Sequence, residues 1–191
     1  IADDGEILAK GPNIMTKYYR NEEATSEVFD KDGWFHTGDI GIIDKDGFLK
    51  ITDRKKSLIV TSGGKNIAPA PIELKLATSS FIEQVHVIGD KRNFLTALIV
   101  PNFDALTSFL KNNGSDLKDP NALVDHPDVI ELFNSEVDIA MSEFSNYEKI
   151  KKFTLLTEPF SIEKGEMTPK MSIVKKVVEQ NYSELINKMY S

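Results

Sequence analysis

Two side chains in the first third of the chain could bind the sugar of a nucleotide. Asp39 closes the run Gly33–Asp39, which reads GWFHTGD, and Arg54 follows fifteen positions later. A carboxylate only accepts hydrogen bonds, which suits a pair of ribose hydroxyls, and a guanidinium can donate two parallel bonds to ribose or phosphate oxygens. Two ordinary alternatives stay open: Asp39 could satisfy backbone donors in a turn, and Arg54 could form a surface ion pair with Asp53.

Two loops could meet other parts of a ligand. Gly63 and Gly64, within the segment TSGGKN, could present backbone N–H groups as an anion-binding nest. Lys170 lies in a loop before the last helical pattern, where a mobile ammonium could reach a phosphate. Neither signal is specific, because most glycine pairs form plain loops and a lysine beside proline is usually solvated.

The aromatic and histidine residues that precede Asp39 are expected to be structural. We expect Trp34 and Phe35 to pack in the core. For His36, a structural hydrogen bond is preferred over a place in the wall of a ligand pocket.

The segment that carries Asp39 and Arg54 is predicted to be β structure, because Asp-Gly and Gly-Pro turns separate short runs of strand-forming residues. Asp44–Gly47 is predicted to be a hairpin turn, and Asn21 is expected to cap a short helix over residues 21–29. The predicted strands are Glu6–Ala9, Trp34–His36, Ile40–Ile43 and Phe48–Thr52.

After residues 53–56 the pattern becomes mixed. The order of apolar runs predicts an α+β unit of ferredoxin-like type with a helical insertion, and residues 112–128 are expected to form a surface loop. We therefore predict two domains, a short β-rich subdomain over residues 1–54 and an α+β domain over residues 55–191. The predicted helices are 70–78, 103–112, 128–144 and 173–189, and the predicted strands are 58–60, 85–89, 95–100 and 153–157.

Composition excludes several classes of function. The chain has 23 Lys and Arg against 30 Asp and Glu, a net charge of −7, which argues against nucleic-acid binding. Without cysteine there is no disulfide, thiolate metal site or thiol nucleophile, and no metal ligands are predicted. No apolar run reaches the roughly 20 residues that span a bilayer. We expect a cytoplasmic location, with peripheral contact to a membrane surface left open, as is the oligomeric state.

Taken in order, these motifs resemble the C-terminal part of the acyl-adenylate-forming superfamily, and within it the long-chain fatty acid–CoA ligases. The superfamily likeness is carried by the segments Gly5–Leu8, Gly11–Met15, Gly33–Asp39 and Gly47–Asn66. The long-chain likeness is carried by Val100–Phe103, the helical insertion, Tyr147–Ile150 and Gly165–Pro169. No Ser/Thr- and Gly-rich phosphate loop precedes them and the chain opens at Ile1, so we expect the C-terminal piece of a larger enzyme, inactive alone.

The resemblance implies a two-step reaction that uses ATP, Mg²⁺ and CoA. A fatty acid carboxylate is first converted to acyl-AMP with loss of pyrophosphate, and CoA then displaces AMP. By the same resemblance Asp39 and Arg54 hold the ribose, and residues 1–54 end the large domain. Lys56 is the hinge of a mobile domain over residues 55–191, and Gly63 and Gly64 line the route of CoA.

One position departs from the family pattern. When Lys175 is matched to the basic residue that begins the terminal helix, Ser172 falls where the adenylation lysine is expected, and Lys170 lies two positions earlier. Lys170 is therefore the candidate for that role. Two alternatives remain: a ligase for another carboxylic acid or for a carrier protein, and a non-catalytic interaction module on the same scaffold.

Overall fold

The computed structural model describes all 191 residues, which divide into two compact units. Unit 1 comprises Ile1–Leu58 and Asn66–Pro71, and unit 2 comprises Ile59–Lys65 and Ile72–Ser191. The predicted α+β class is confirmed by the mixture of helices and strands. None of the helices is both long and apolar enough to cross a lipid bilayer.

Unit 1 is built on a three-stranded antiparallel sheet in the order β1–β2–β3. Its elements are β1 (Glu6–Ala9), α1 (Glu22–Val28), β2 (Phe35–Ile43), β3 (Leu49–Arg54), a 3₁₀ turn (Lys55–Ser57) and β5 (Asn66–Ile67). The predicted strands 34–36 and 40–43 are one continuous strand, because the pairing with β1 and β3 runs on past Gly38, whose φ of +71° only glycine adopts easily.

Local signals in unit 1 act as expected. Asn21 caps α1, its side-chain oxygen accepting a hydrogen bond from the Ala24 amide at 3.0 Å. The turn at residues 44–47 joins β2 to β3 with Gly47 at φ +85°.

The prediction that Trp34 lies in the core is wrong, since Trp34 is 40% exposed and Lys10 Nζ lies 5.7 Å from its ring centre. An indole beside a cation tolerates this exposure.

Unit 2 is built on the sheet β6–β7–β8, in which β6 and β7 are antiparallel and β7 and β8 are parallel. Every residue of β7 is buried, which marks it as the central strand with both faces covered. Leu98 and Val100 face a core formed with Val178, Ile186 and Met189. The strands and helices of this unit are β4 (Ile59–Val60), β6 (Ile82–Ile88), β7 (Leu95–Pro101), β8 (Ile150–Leu155), α3 (Phe103–Asn112), α4 (Pro120–Val124), α5 (Pro127–Ala140), α6 (Lys175–Asn181) and α7 (Ser183–Tyr190). One further helix, α2 (Pro69–Leu76), begins at Pro69.

The structure corrects two predictions in unit 2. The stretch predicted as a surface loop contains α4, which Asp119 caps by accepting from the Ala122 amide at 3.1 Å and which buries Leu123 completely. The single terminal helix predicted for residues 173–189 is two helices, because Tyr182 leaves helical geometry at φ −103° and ψ 20° and packs edge-on against Phe160. This break shifts the helical phase, so Ile186 is buried rather than Leu185.

Candidate functional site

Asp39 and Arg54 lie side by side on neighbouring antiparallel strands. They are paired residues in the β2–β3 register, and Arg54 Nε lies 2.9 Å from Asp39 Oδ1. The Arg54 side chain is 67% exposed and that of Asp39 27%, so the pair faces solvent. The suggested ion pair between the Arg54 guanidinium and Asp53 is wrong. The Asp53 carboxylate instead accepts a hydrogen bond from the Arg54 backbone amide. A carboxylate and a guanidinium held at one surface position can together serve the hydroxyls of a sugar.

The backbone before Asp39 is fixed by hydrogen bonds that the Thr37 hydroxyl makes. It donates to the Ile7 carbonyl at 2.7 Å and accepts from the Asp39 amide at 3.1 Å. Gly38 lies between them with φ +71°, and a Cβ added there would come 3.6 Å from Arg54 Nη2. The sequence Thr-Gly-Asp therefore orients the carboxylate through its backbone rather than through side-chain packing.

A buried carboxylate that the sequence analysis missed lies next to this pair. Glu6 is 3% exposed, and its oxygens accept from Gly38 N at 2.9 Å, from His36 Nδ1 at 2.8 Å and from Lys55 Nζ at 2.8 Å. Burial alone would raise the pKa of Glu6, but these donors outweigh it and the net shift is downward. The structural hydrogen bond expected of His36 is thus present.

Lys55 is anchored while Lys56 is not. Lys55 Nζ lies 2.7 Å from Asp4 Oδ2 and 2.8 Å from Glu6 Oε2, and these two carboxylates, Asp4 first, raise the pKa of Lys55. The Lys56 side chain is exposed in the 3₁₀ turn. An ion-paired side chain, that of Lys55, is therefore followed directly by an exposed one, that of Lys56.

Gly63 and Gly64 belong to unit 2, in a loop where the amides of Ser62, Gly64 and Lys65 are already engaged. Gly64 N donates to the Thr61 carbonyl at 2.9 Å, Lys65 N donates to Thr61 Oγ1 at 3.1 Å, and Ser62 N donates to the Arg92 carbonyl at 2.9 Å. The suggested anion nest is wrong for these three amides, since a nest needs free donors. What the glycines do provide is open space: a Cβ on Gly64 would meet nothing within 4 Å.

Lys170 also belongs to unit 2, near the tip of a tight turn. The Thr168 amide donates to the Ser172 carbonyl and the Met171 amide to the Thr168 carbonyl, both at 2.8 Å, with Met171 at φ +60°. The Lys170 and Ser172 side chains are both exposed. Of the predicted site residues, the structure brings Asp39 and Arg54 into contact, with Lys56 two residues further on in unit 1.

Unit 2 contains an ionic cluster around a buried histidine that no sequence signal indicated. His86 on β6 is 1% exposed, with Nδ1 3.5 Å from Glu73 Oε1 and Nε2 3.4 Å from Glu179 Oε1. Burial would lower the pKa of His86, but Glu179 and Glu73 outweigh it and the net shift is upward. Burial would raise the pKa of Glu73, while His86, the Val87 amide and Lys175 hold it below its ordinary value. The cluster joins β6 to α2 and α6.

Comparison with known proteins identifies the family. The profile of the AMP-binding enzyme C-terminal domain matches residues 56–191. The chain belongs to this family. The C-terminal domain family thus accounts for most of the sequence, including the glycine loop and the Lys170 turn, while Asp39 and Arg54 precede the matched residues.

Relatives of this AMP-binding family member extend over the whole chain. The long-chain-fatty-acid–CoA ligase FadD15 of Mycobacterium tuberculosis is 42% identical over 195 residues, which cover 100% of this chain and 32% of that protein. The peroxisomal long chain acyl-CoA synthetase 6 of Arabidopsis thaliana is 38% identical over 189 residues, covering 97% and 27%. The chain thus spans between a quarter and a third of the length of these relatives.

A solved structure shares the fold of this family member. The A-PCP didomain of carboxylic acid reductase from Segniliparus rugosus, in complex with AMP, superposes with a TM-score of 0.74 at 27% identity, covering 98% of this chain and 25% of that one. The likeness extends over both units. Adenylate-forming A domains are therefore its structural neighbours.

Proposed function

We propose that this chain is the C-terminal part of an AMP-forming ligase that activates long-chain fatty acids with ATP and transfers the acyl group to CoA. The observation that carries the proposal is the Asp39–Arg54 pair at 2.9 Å, on a chain that belongs to the AMP-binding enzyme C-terminal domain family. Relatives named as long-chain ligases at 38–42% identity support the substrate class.

In the proposed reaction the fatty acid carboxylate attacks the α-phosphate of ATP. Pyrophosphate leaves, and the acyl-AMP anhydride gives the acyl carbon a good leaving group. The CoA thiolate then attacks that carbon and AMP departs. Asp39 and Arg54 hold the ribose through both steps, so the reacting phosphate keeps its position, and positioning of this kind is a large part of catalysis in phosphoryl chemistry.

The second group of residues serves the second step. Lys56 is the proposed hinge between residues 1–54, as the end of the large domain, and the mobile domain over residues 55–191. The chain beyond Lys56 turns between adenylation and thioester formation. Gly63 and Gly64 would line the route of CoA, supported by the open space beside Gly64. Lys170 is the proposed adenylation lysine in place of Ser172, supported by its exposure on a turn.

Mg²⁺ is proposed to enter with ATP rather than on this chain. No residue of this chain is assigned as its ligand. The cytoplasm is the proposed location because ATP and CoA are supplied there, and a fatty acid substrate makes peripheral membrane contact reasonable to test.

The test is an assay of the full-length protein for AMP release with palmitate, ATP and CoA. The proposal expects palmitoyl-CoA and AMP in equal amounts, with release abolished when CoA and fatty acid are both omitted. Complete inactivity toward every acid would favour a non-catalytic module, for which Ser172 is the motivating residue.

A carrier-protein ligase is the second candidate, because the A-PCP didomain shares this fold. It predicts acyl transfer to the phosphopantetheine arm of a carrier protein in preference to CoA. Product analysis with both acceptors in one reaction separates the two candidates.

A further inference from the structure

Glu6 is a buried carboxylate that the proposed reaction does not use. A carboxylate removed from water is costly unless donors satisfy it, and Glu6 receives three: the Gly38 amide, the His36 ring and the Lys55 ammonium. An apolar residue would fill this place on β1 at lower cost. The retained charge therefore requires an explanation beyond packing.

The partners of Glu6 lie on both sides of the Asp39–Arg54 pair. Gly38 directly precedes Asp39 on β2, and Lys55 directly follows Arg54 at the end of β3. Asp39 and Arg54 are themselves opposite one another in the strand register. The Glu6 carboxylate thus holds the Gly38 backbone amide, which precedes Asp39, and the Lys55 side chain, which follows Arg54.

The conformation of Gly38 links Glu6 to the orientation of Asp39. At φ +71° its amide donates to Glu6 Oε1, while the next amide, of Asp39, donates to Thr37 Oγ1. Loss of the Glu6 acceptor would leave the Gly38 amide without its partner and free this short segment to reorient. The Asp39 carboxylate would then turn with it.

We propose that Glu6 is a positioning residue for nucleotide binding, which holds Asp39 and Arg54 in the arrangement that meets the two ribose hydroxyls. The inference rests on the proposed ribose-binding role of that pair. Asp4 provides the contrast, since its carboxylate also binds Lys55, at 2.7 Å, but makes no contact with Gly38 in the described hydrogen bonds. Its other oxygen accepts the Glu6 amide at 3.1 Å, and an asparagine at position 4 keeps an acceptor for that amide. The two acids therefore share the lysine and differ in their connection to Asp39.

The experiment compares Glu6→Gln with Asp4→Asn in the full-length ligase. A glutamine amide has one acceptor oxygen, so it can serve Gly38 or the His36 and Lys55 donors but not both. The readout is the ratio of kcat/KM for ATP to that for 2′-deoxy-ATP and 3′-deoxy-ATP. We expect a ratio of roughly 10 or more for the wild type and for Asp4→Asn, because each deoxy-ATP lacks a hydroxyl that would donate a hydrogen bond to the charged Asp39 carboxylate. For Glu6→Gln we expect a fall to about 3 or less on the same reasoning.

A purely structural role would lower the thermal midpoint of Glu6→Gln and leave this ratio unchanged, which would overturn the inference. It is also overturned if Asp39→Asn loses the discrimination and Glu6→Gln keeps it. If the wild type itself shows no discrimination, the ribose-binding role fails and the inference fails with it. If Glu6→Gln does not fold, Glu6→Asp replaces it, because it keeps the negative charge beside Lys55 while its shorter side chain withdraws the acceptor from the Gly38 amide. A folded Glu6→Asp protein with an unchanged ratio refutes the proposal.

Discussion

Replacing Asp39 by asparagine is expected to weaken nucleotide binding strongly while leaving the fold almost unaffected. The substitution keeps the shape of the side chain and removes its charge. Because Asp39 is 27% exposed and Arg54 67% exposed, water already screens their attraction. The structural cost and the binding cost can therefore be told apart.

The two costs differ in magnitude. An exposed ion pair contributes about 0.2–1 kcal/mol to the free energy of unfolding, which corresponds to a fall in the thermal midpoint of about 4 °C or less. A hydrogen bond between a carboxylate and a ribose hydroxyl contributes about 1.5–3 kcal/mol to binding. Its loss should lower kcat/KM for ATP by roughly 10- to 100-fold.

The assay uses the full-length protein, with AMP release measured over a range of ATP concentrations and thermal unfolding measured on the same preparations. Lys50→Gln is the matched control, because Lys50 forms an exposed ion pair with Asp44 on the same hairpin at 3.0 Å. An Asp39→Asn enzyme with wild-type kcat/KM for ATP would refute the ribose-binding role. A large loss of stability would show instead that the ion pair is structural.

Three further predictions concern unit 2. In the full-length protein, Lys170→Ala should slow pyrophosphate exchange roughly 100-fold through lost charge stabilisation, with Lys164→Ala, in the same loop, as control. Unchanged adenylation would remove Lys170 from the proposed mechanism. The free energy of unfolding should fall as pH rises from about 6.5 through the higher folded pKa of His86, because the folded state binds that proton more tightly. This slope should be absent in His86→Gln and present in the control His126→Asn, since His126 is only half-buried. Leu123→Ala should cost about 2–5 kcal/mol in chemical denaturation if α4 packs as described, and a value below about 1 kcal/mol would contradict that packing.

The features that the sequence predicted are those set by neighbours along the chain. Asn21 caps a helix through a contact three residues away, and the turn at 44–47 forms from its own residues. The Asp39–Arg54 contact follows from the same turn, since a hairpin that reverses at 44–47 places the following strand opposite β2. A local signal was therefore enough to bring two distant residues together.

The capping signal of α4 is equally local, although residues 112–128 are predicted to be a surface loop. Asp119 followed by Pro120 is a typical helix start, with proline in the first turn where its missing amide costs nothing. The split of the terminal helix is a different case. There the apolar spacing continues through Tyr182, and only the contact of its ring with Phe160 shows where the helix ends.

The Glu6 and His86 clusters could not be predicted, because their partners are brought together by the fold. Glu6 meets donors 30, 32 and 49 positions away, and His86 meets Glu179 across 93 positions. No periodicity or short motif records such separations. Buried polar residues become informative only when the donors around them can be counted.

The anchoring of Lys55 gives a physical reason why a pivot at Lys56 would be confined to that place. Two carboxylates hold the Lys55 ammonium, so rotation of the backbone before it would break charge-assisted hydrogen bonds to a buried acid. Rotation after it would disturb no such contact of the exposed Lys56 side chain. Glu6 also holds the Gly38 amide. A hinge motion at Lys56 could therefore proceed without disturbing the proposed binding of ribose by Asp39 and Arg54. Both half-reactions could then use one bound nucleotide.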